Sequence, residues 1–343
     1  MKRPLLLIFA LFVAASAFAL KVYINPGHGG WGSGDRPNAT INYAAYDTLG
    51  FFESNTNLWK CLYMRTKLQA AGASVKMSRT TNGTAEATKS LSTIASEVNN
   101  YAPSHFISVH SNAATEGTST NYPLILYRGQ TSNEKISGSK ARSQSTWDAL
   151  VDINKKGFEY YTHYTSSRNC VGDNSFYGTS GNNGYLGVLK HSYPGYLTEG
   201  YFHTYQPARH RALNPDWCRQ EGLRFARGIK AHFGTAKETK GYIMGYIRTQ
   251  ERQINQTNYT GRSGNDIYMP INGAKVYLTN AAGDTIMTNC YNYVARKLTN
   301  QKCYTTDNNY NGVFAYEDLT PGTYTITVRA NGYKKYTQNI TVT

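Results

Sequence analysis

The chain is short of acidic residues, cysteine and tryptophan, and past its first twenty residues it has no long apolar run. Asp and Glu number 21 against 36 Lys and Arg, for a formal net charge of +15. So basic a balance suits contact with an anionic polymer, such as a wall polymer, a polysaccharide or a nucleic acid. The cations are scattered rather than massed and no nucleic-acid motif is present, so nucleic acid is set aside. There are five cysteines, Cys61, Cys170, Cys218, Cys290 and Cys303, and none sits in a CxxC. An odd count leaves at least one thiol outside any intrachain pairing. Cys290 with Cys303 is the best disulfide candidate, Cys170 with Cys218 a weaker one, and Cys61 reads as a buried thiol. Tryptophan occurs four times but tyrosine 29 times. These tyrosines suit either a tyrosine-rich core or exposed rings for sugar contacts.

The one apolar run, Leu5 to Val13, is too short to span a bilayer. It follows Met1-Lys2-Arg3 and precedes Ala17-Phe18-Ala19, the layout of a secretory leader over residues 1–19. No cysteine near that cleavage point offers a lipid anchor. Loss of Lys2 and Arg3 with the leader would take the charge from +15 to +13. The expected location is the periplasm or cell envelope, with full secretion as the alternative, and no transmembrane anchor. The remaining chain of about 320 residues is more than one ordinary domain needs.

From Lys21 to about Gly234, strand and helix patterns alternate. "KVYIN" reads as a buried strand. Ser54 is placed to cap a helix that Gly72 ends. "ASVKMSRT" and "HFISVH" read as strands on either side of a helix, "LSTIASEVNNY". A further helix is expected within Ala141 to Lys156, then a short strand at "PGYLTEG", then a closing helix that ends at Gly234. This alternation predicts an α/β domain with a mostly parallel sheet flanked by helices. Beyond "GTAKETKG" only short alternating strands remain, which predicts a small all-β sandwich over residues 241–343.

Three strand ends carry chemistry-bearing side chains. His28 follows the first strand among glycines, His110 ends "HFISVH", and Glu199 closes "PGYLTEG". In an open parallel sheet, ligands gather outside the carboxyl ends of the strands. Glu53, at the start of the first helix, belongs to the same edge. A lone histidine at a strand end is usually structural, and a glutamate at a helix start is more often a dipole partner. Two histidines and a carboxylate placed together, however, make a catalytic zinc site, and a further glutamate supplies a base. The glycines around His28 let backbone and substrate approach the ring. No P-loop Lys-Ser/Thr follows them, which excludes a phosphate loop.

"VYINPGHGG", "ESNTNLWKCLYMRTKLQAAGASVKMSRT", "FISVHSNAA" and "LGVLKHSYPGYLTEGYFHT" together resemble the zinc-dependent N-acetylmuramoyl-L-alanine amidases of bacterial cell walls. The resemblance runs over about residues 21–234 and implies a catalytic domain of 20–235. It implies zinc held by His28, Glu53 and His110, and Glu199 as catalytic base. The implied reaction is hydrolysis of the amide between the lactyl group of N-acetylmuramic acid and L-alanine of the stem peptide of peptidoglycan. Lys190 stands where an arginine is common in relatives. Together with Asn112 and His191 it is a candidate substrate contact or support for the site. The segment between His28 and Glu53 is longer than the family's, and it brings Asp47 in as an alternative second ligand. The C-terminal stretch resembles the carboxypeptidase-regulatory-like, prealbumin-type β-sandwich, through Gly312, Phe314, Leu319, Pro321-Gly322, Tyr324 and Gly332-Tyr333. That resemblance implies an accessory module with polysaccharide or protein contacts. Asp307-Asn308-Asn309 is better read as a turn than a calcium site, because calcium needs more oxygen ligands. Two alternatives to the amidase remain: a non-catalytic wall-binding or adhesive protein, and a zinc peptidase or amidase acting on another N-acyl bond.

Overall fold

The computed structural model describes residues 20–30, 51–83, 89–115, 118–155, 169–235, 239–253, 264–271, 273–286, 304–305 and 312–343. The expected leader, Asp47, Asp307-Asn308-Asn309, Cys290 and Cys303 lie outside these residues.

The elements of the first part run in order as β1 (Lys21–Pro26), α1 (Glu53–Ala70), β2 (Ser74–Met77), α2 (Leu91–Tyr101) and β3 (His105–Asn112). Then come β4 (Leu124–Tyr127), the short pair β5 (Gly129–Gln130) and β6 (Asn133–Glu134), α3 (Ser139–Lys155) and β7 (Cys170–Gly172). A single helical turn α4 (Asp173–Phe176), β8 (Gly195–Phe202), α5 (Gln206–Ala212) and α6 (Pro215–His232) complete it. Six strands form one sheet in the order β2-β1-β3-β8-β4-β7. Only the β4–β8 pairing is antiparallel. The expected mostly parallel α/β architecture is therefore present. The strands β4 and β7 sit in a stretch rich in Ser, Asn, Gly and Tyr where no period stood out.

Strand side chains alternate between two helical layers, as a pleated strand requires. Val22, Ile24, Ile107, Val109 and Tyr196 pack under Leu58, Cys61, Met64, Trp147, Leu150 and Phe225 of α1, α3 and α6. Tyr23, Phe106 and Leu197 face the other way, onto Ile94 and Val98 of α2 and onto Val188 and Leu189. Both faces are thus covered, which explains the unbroken apolar character of β1 and β3. At Gly222 of α6 a Cβ would lie 2.3 Å from the Lys60 carbonyl, so only glycine lets α6 approach α1 this closely.

Two expectations are corrected here. Ser54 does not cap α1: the capping position is Phe52, with no side-chain cap bond, and Ser54 Oγ donates instead to the Gly30 carbonyl at 2.9 Å. Cys170 and Cys218 are both free and buried, in different apolar clusters. Burial pushes both thiols up, so they are inert.

The C-terminal part contains β9 (Gly241–Tyr246), β10 (Arg248–Gln253), β11 (Tyr268–Pro270), β12 (Lys275–Thr279), β13 (Thr285–Ile286) and β14 (Tyr304–Thr305). It closes with β15 (Val313–Leu319), β16 (Gly322–Arg329) and β17 (Tyr336–Val342). β12, β13, β14, β16 and β17 form one sheet, while β9 pairs with β15 and β10 with β11. Val276, Leu278, Ile326 and Val328 from the larger sheet share an apolar cluster with Ile243, Phe314 and Tyr316. Two buried carboxylates tie this part to the first. Glu317 accepts from the Tyr63 hydroxyl and from Gln220 at 2.6 Å, and Asp266 accepts from Tyr205 at 2.8 Å and pairs with Arg211 at 3.0 Å. Among the described residues no helix is long and apolar enough to cross a membrane.

Candidate metal centre and base

The site lies at the carboxyl ends of β1, β3 and β8. β1 ends at Pro26, and the Gly27 amide still donates to the Val109 carbonyl at 2.9 Å, which holds the start of the loop on β3. His28 then adopts φ 58, a left-handed conformation that a residue with a Cβ seldom takes. Such strain persists only where the surroundings fix it. Here Arg79 does the fixing. Its buried guanidinium donates to the carbonyls of Pro26 (3.1 Å), Gly27 (3.0 Å), Ser54 (2.7 Å) and Thr81 (3.1 Å), and to Asn82 Oδ1 (3.1 Å). One side chain thereby joins the backbone just before His28 to the first turn of α1, where Glu53 sits.

Glu53 is 2% exposed and bridges both imidazoles. Its Oε2 is 3.2 Å from Nε2 of His28, and its Oε1 is 3.3 Å from Nδ1 of His110. The Ser111 amide donates to Oε1 at 2.9 Å and the Asn57 side chain at 3.3 Å, which sets the carboxylate plane. Burial alone would raise this carboxyl, but the hydrogen bonds from His110 and His28 outweigh it and hold it well below the usual range. His110 is shifted down, first by burial and against the pull of Glu53, which favours the neutral imidazole that a metal ligand must be.

One donor atom from each of His28, Glu53 and His110 lies within 4.8 Å of the others. Two imidazoles and one carboxylate are the donor set of a catalytic zinc site with an open fourth position. Bond lengths of 2.0–2.1 Å in a tetrahedron put ligand atoms about 3.3 Å apart. The two Glu53–histidine distances fit that spacing.

Glu199 stands beside this group. Its Cα pairs in register with that of His110 across the β3–β8 ladder. Its Oε2 is buried with no hydrogen-bond partner. Burial, then the Glu53 charge, push the carboxyl well above the ordinary value. A carboxyl with a perturbed proton affinity and one partner-free oxygen, next to a donor triad, is a candidate for proton transfer.

The other sequence candidates are placed differently. Asn112 turns its Oδ1 to the Ala113 amide at 2.8 Å, and Lys190 is exposed. His191 is 2% exposed and packs edge-on against Phe106 at 4.3 Å, with Nδ1 accepting from the Tyr193 amide. That is a packing position on the face of the sheet that α2 covers. Two residues that no spacing singled out belong to the site. One is Arg79. The other is His203, 1% exposed, whose Nδ1 lies 2.9 Å from Ser111 Oγ and 3.9 Å from Glu53 Oε2.

A sequence model of the N-acetylmuramoyl-L-alanine amidase family matches residues 22–231. A search of curated proteins finds no match. Among solved structures, the chain is similar to the N-acetylmuramoyl-L-alanine amidase from Clostridium difficile 630, with 23% identity over 64% of this chain and 99% of that one, and a TM-score of 0.47. It is also similar to the amidase AmiC2 of Nostoc punctiforme, with 18% identity over 63% and 97% and a TM-score of 0.46. A third similar structure is the apo form of the amidase Ami1 from Mycobacterium abscessus, with 17% identity over 62% and 98% and a TM-score of 0.48.

Proposed function

The chain belongs to the N-acetylmuramoyl-L-alanine amidase family, and we propose that it is a zinc-dependent member that cleaves the amide between the lactyl group of N-acetylmuramic acid and L-alanine of the stem peptide. His28, Glu53 and His110 hold the zinc, and Glu199 is the base. The observation that carries this reading is the position of Glu53, buried between two imidazoles and register-close to an unpartnered Glu199.

Zinc, when bound, supplies a Lewis acid that lowers the pKa of water and polarises the scissile carbonyl. Glu199 takes a proton from the attacking water and passes it to the alanine nitrogen as the C–N bond breaks. Its raised proton affinity suits the first transfer, and its partner-free Oε2 leaves an atom for the second. Asn57 and the Ser111 amide hold Glu53 in its bridging orientation, and Arg79 holds His28 to it. The expected place of work is outside the cytoplasm, in the periplasm or envelope or after full secretion. The C-terminal strands serve as an accessory module.

The reading is tested by incubating purified sacculi with the protein, with and without a chelator, and identifying products by mass spectrometry. Release of intact stem peptides starting at L-alanine, abolished by chelator, is expected. Binding with no release would favour a wall-binding protein, and cleavage inside the stem would favour a peptidase.

A further inference from the structure

Glu53 opens α1, and that helix has no side-chain cap at Phe52. Its position rests on Arg79 and on packing. One strand of the C-terminal part runs beside it. Val313, at the start of β15, shares an apolar cluster with Phe51, two residues before Glu53, and with Trp217 and Cys218 of α6. Glu317, farther along β15, accepts from the Tyr63 hydroxyl in the middle of α1 and from Gln220 of α6 at 2.6 Å. Asp318 then lies 3.4 Å from Lys67 in the last turn of α1. β15 thus meets α1 ahead of its first turn, at its middle and near its end. The Lys67 pair is solvent-exposed and contributes little. Val313 and Glu317 are buried and carry the contact.

A second set of contacts reaches the Glu53 carboxylate itself. The Phe51 ring lies 5.6 Å from that of His203, with planes 40° apart. Between the His110–Glu199 and Asn112–Phe202 pairs, β8 has Gly200 and Tyr201 opposite Ser111 alone, a bulge that bends the strand. Past it, the His203 amide donates to the Asn112 carbonyl at 2.8 Å, and Nδ1 lies 2.9 Å from Ser111 Oγ. The Ser111 amide donates to Glu53 Oε1 at 2.9 Å. Phe51, His203 and Ser111 are all buried, and they lead from the cluster that holds Val313 to a proposed metal ligand. Interiors packed this closely transmit a displacement rather than absorb it.

We propose that Val313 and Glu317 of β15 are positioning residues for the metal centre, acting on Glu53 through α1 and through Phe51 and His203. The C-terminal part is then a brace of that centre as well as an accessory module. This rests on the reading of His28, Glu53 and His110 as zinc ligands.

The test is the zinc affinity of the full chain, measured by competition against a chromophoric chelator at a temperature where circular dichroism shows each variant folded. Val313→Ala is expected to raise the zinc Kd about tenfold. Val276→Ala makes the same truncation at a buried valine of the larger sheet, in a cluster that does not include Phe51, and should stay within about twofold of wild type. His203→Phe is expected to weaken zinc binding about tenfold, and His203→Asn, which keeps a side-chain partner for Ser111, to recover most of the loss. Should Val313→Ala not fold, Tyr63→Phe decides in its place: it loses only the hydroxyl that Glu317 accepts, and about a threefold rise in Kd is expected. Wild-type affinity in Val313→Ala, in its substitute Tyr63→Phe or in His203→Phe overturns the brace, as does an equal loss in Val313→Ala and Val276→Ala, and each leaves the ligand assignment standing. Absence of zinc binding by the wild type is a different failure, that of the ligand assignment, and the brace falls with it.

Discussion

Gly27 faces the ring of His110 so closely that a Cβ built on it would lie 2.3 Å from both Cε1 and Nε2 of the imidazole. Its Nδ1 lies 3.3 Å from Glu53 Oε1, a contact that a displaced ring would lose. The glycine in "NPGHGG" that matters most for space is thus the one before His28, and what it makes room for is another proposed ligand.

Gly27→Ala is expected to turn the His110 ring away from Glu53 and to weaken zinc binding about 10- to 100-fold. Competition against a chromophoric chelator measures this. Thermal unfolding in excess chelator should shift far less than the zinc affinity does.

Arg79→Lys is expected to behave almost as badly as Arg79→Met. A single ammonium cannot span the carbonyls of Pro26, Gly27 and Ser54 as the planar fork does. Zinc affinity should fall about 10- to 100-fold in both variants, and hydrolysis should recover at saturating zinc. Failure to recover would show that Arg79 supports more than the ligand geometry.

Stability should fall on acidification between pH 6.5 and 4. Burial, then the charge of Arg128, lower His191 from 6.5 to about 4. The unfolded chain therefore binds a proton in that window that the folded chain refuses, so stability rises with pH. The contribution is about 3 kcal/mol by the bottom of the window. His191→Asn keeps an acceptor for the Tyr193 amide and removes the titration. Urea unfolding at pH 7 and pH 4 should show a smaller difference for this variant than for the wild type.

The C-terminal strands should be inseparable from the rest. Val313 of β15 lies in the same apolar cluster as Phe51, Tyr205, Trp217 and Cys218, with Tyr242, Met244 and Tyr246 packed around it. Asp266→Ala takes the carboxylate from Arg211 and Arg248, 3.0 and 2.7 Å away, and should cost about 3 kcal/mol in chemical denaturation. A chain ending at Thr235 should unfold at lower temperature and expose tryptophan fluorescence.

What could be read in the sequence was whatever is written in consecutive residues. The strand and helix alternation, and the strand-end positions of His28, His110 and Glu199, follow from short apolar runs and their punctuation. Glu53 was legible from its place at the start of the first helix, and there the Asn57 side chain, one turn on, donates to its carboxylate. The rest depends on segments far apart in the chain. Arg79 acts on backbone 25 and 52 residues before it in the chain. His203 reaches the site only because β8 carries the chain past β3. Ser54 misled because a serine at a helix start caps only when it occupies the non-helical position, and Phe52 holds that place. Cys170 and Cys218 showed a spacing but no distance, and packing sends them to separate clusters.

The most direct measurement takes wild type, Glu199→Gln and His28→Ala through zinc analysis and hydrolysis of purified sacculi in parallel. Wild type should hold zinc and release stem peptides beginning with L-alanine. Glu199→Gln should retain the metal and lose about 10³-fold in rate, and His28→Ala should lose the metal itself. Full hydrolysis by Glu199→Gln, or full zinc in His28→Ala, would contradict the assignment of base and ligand.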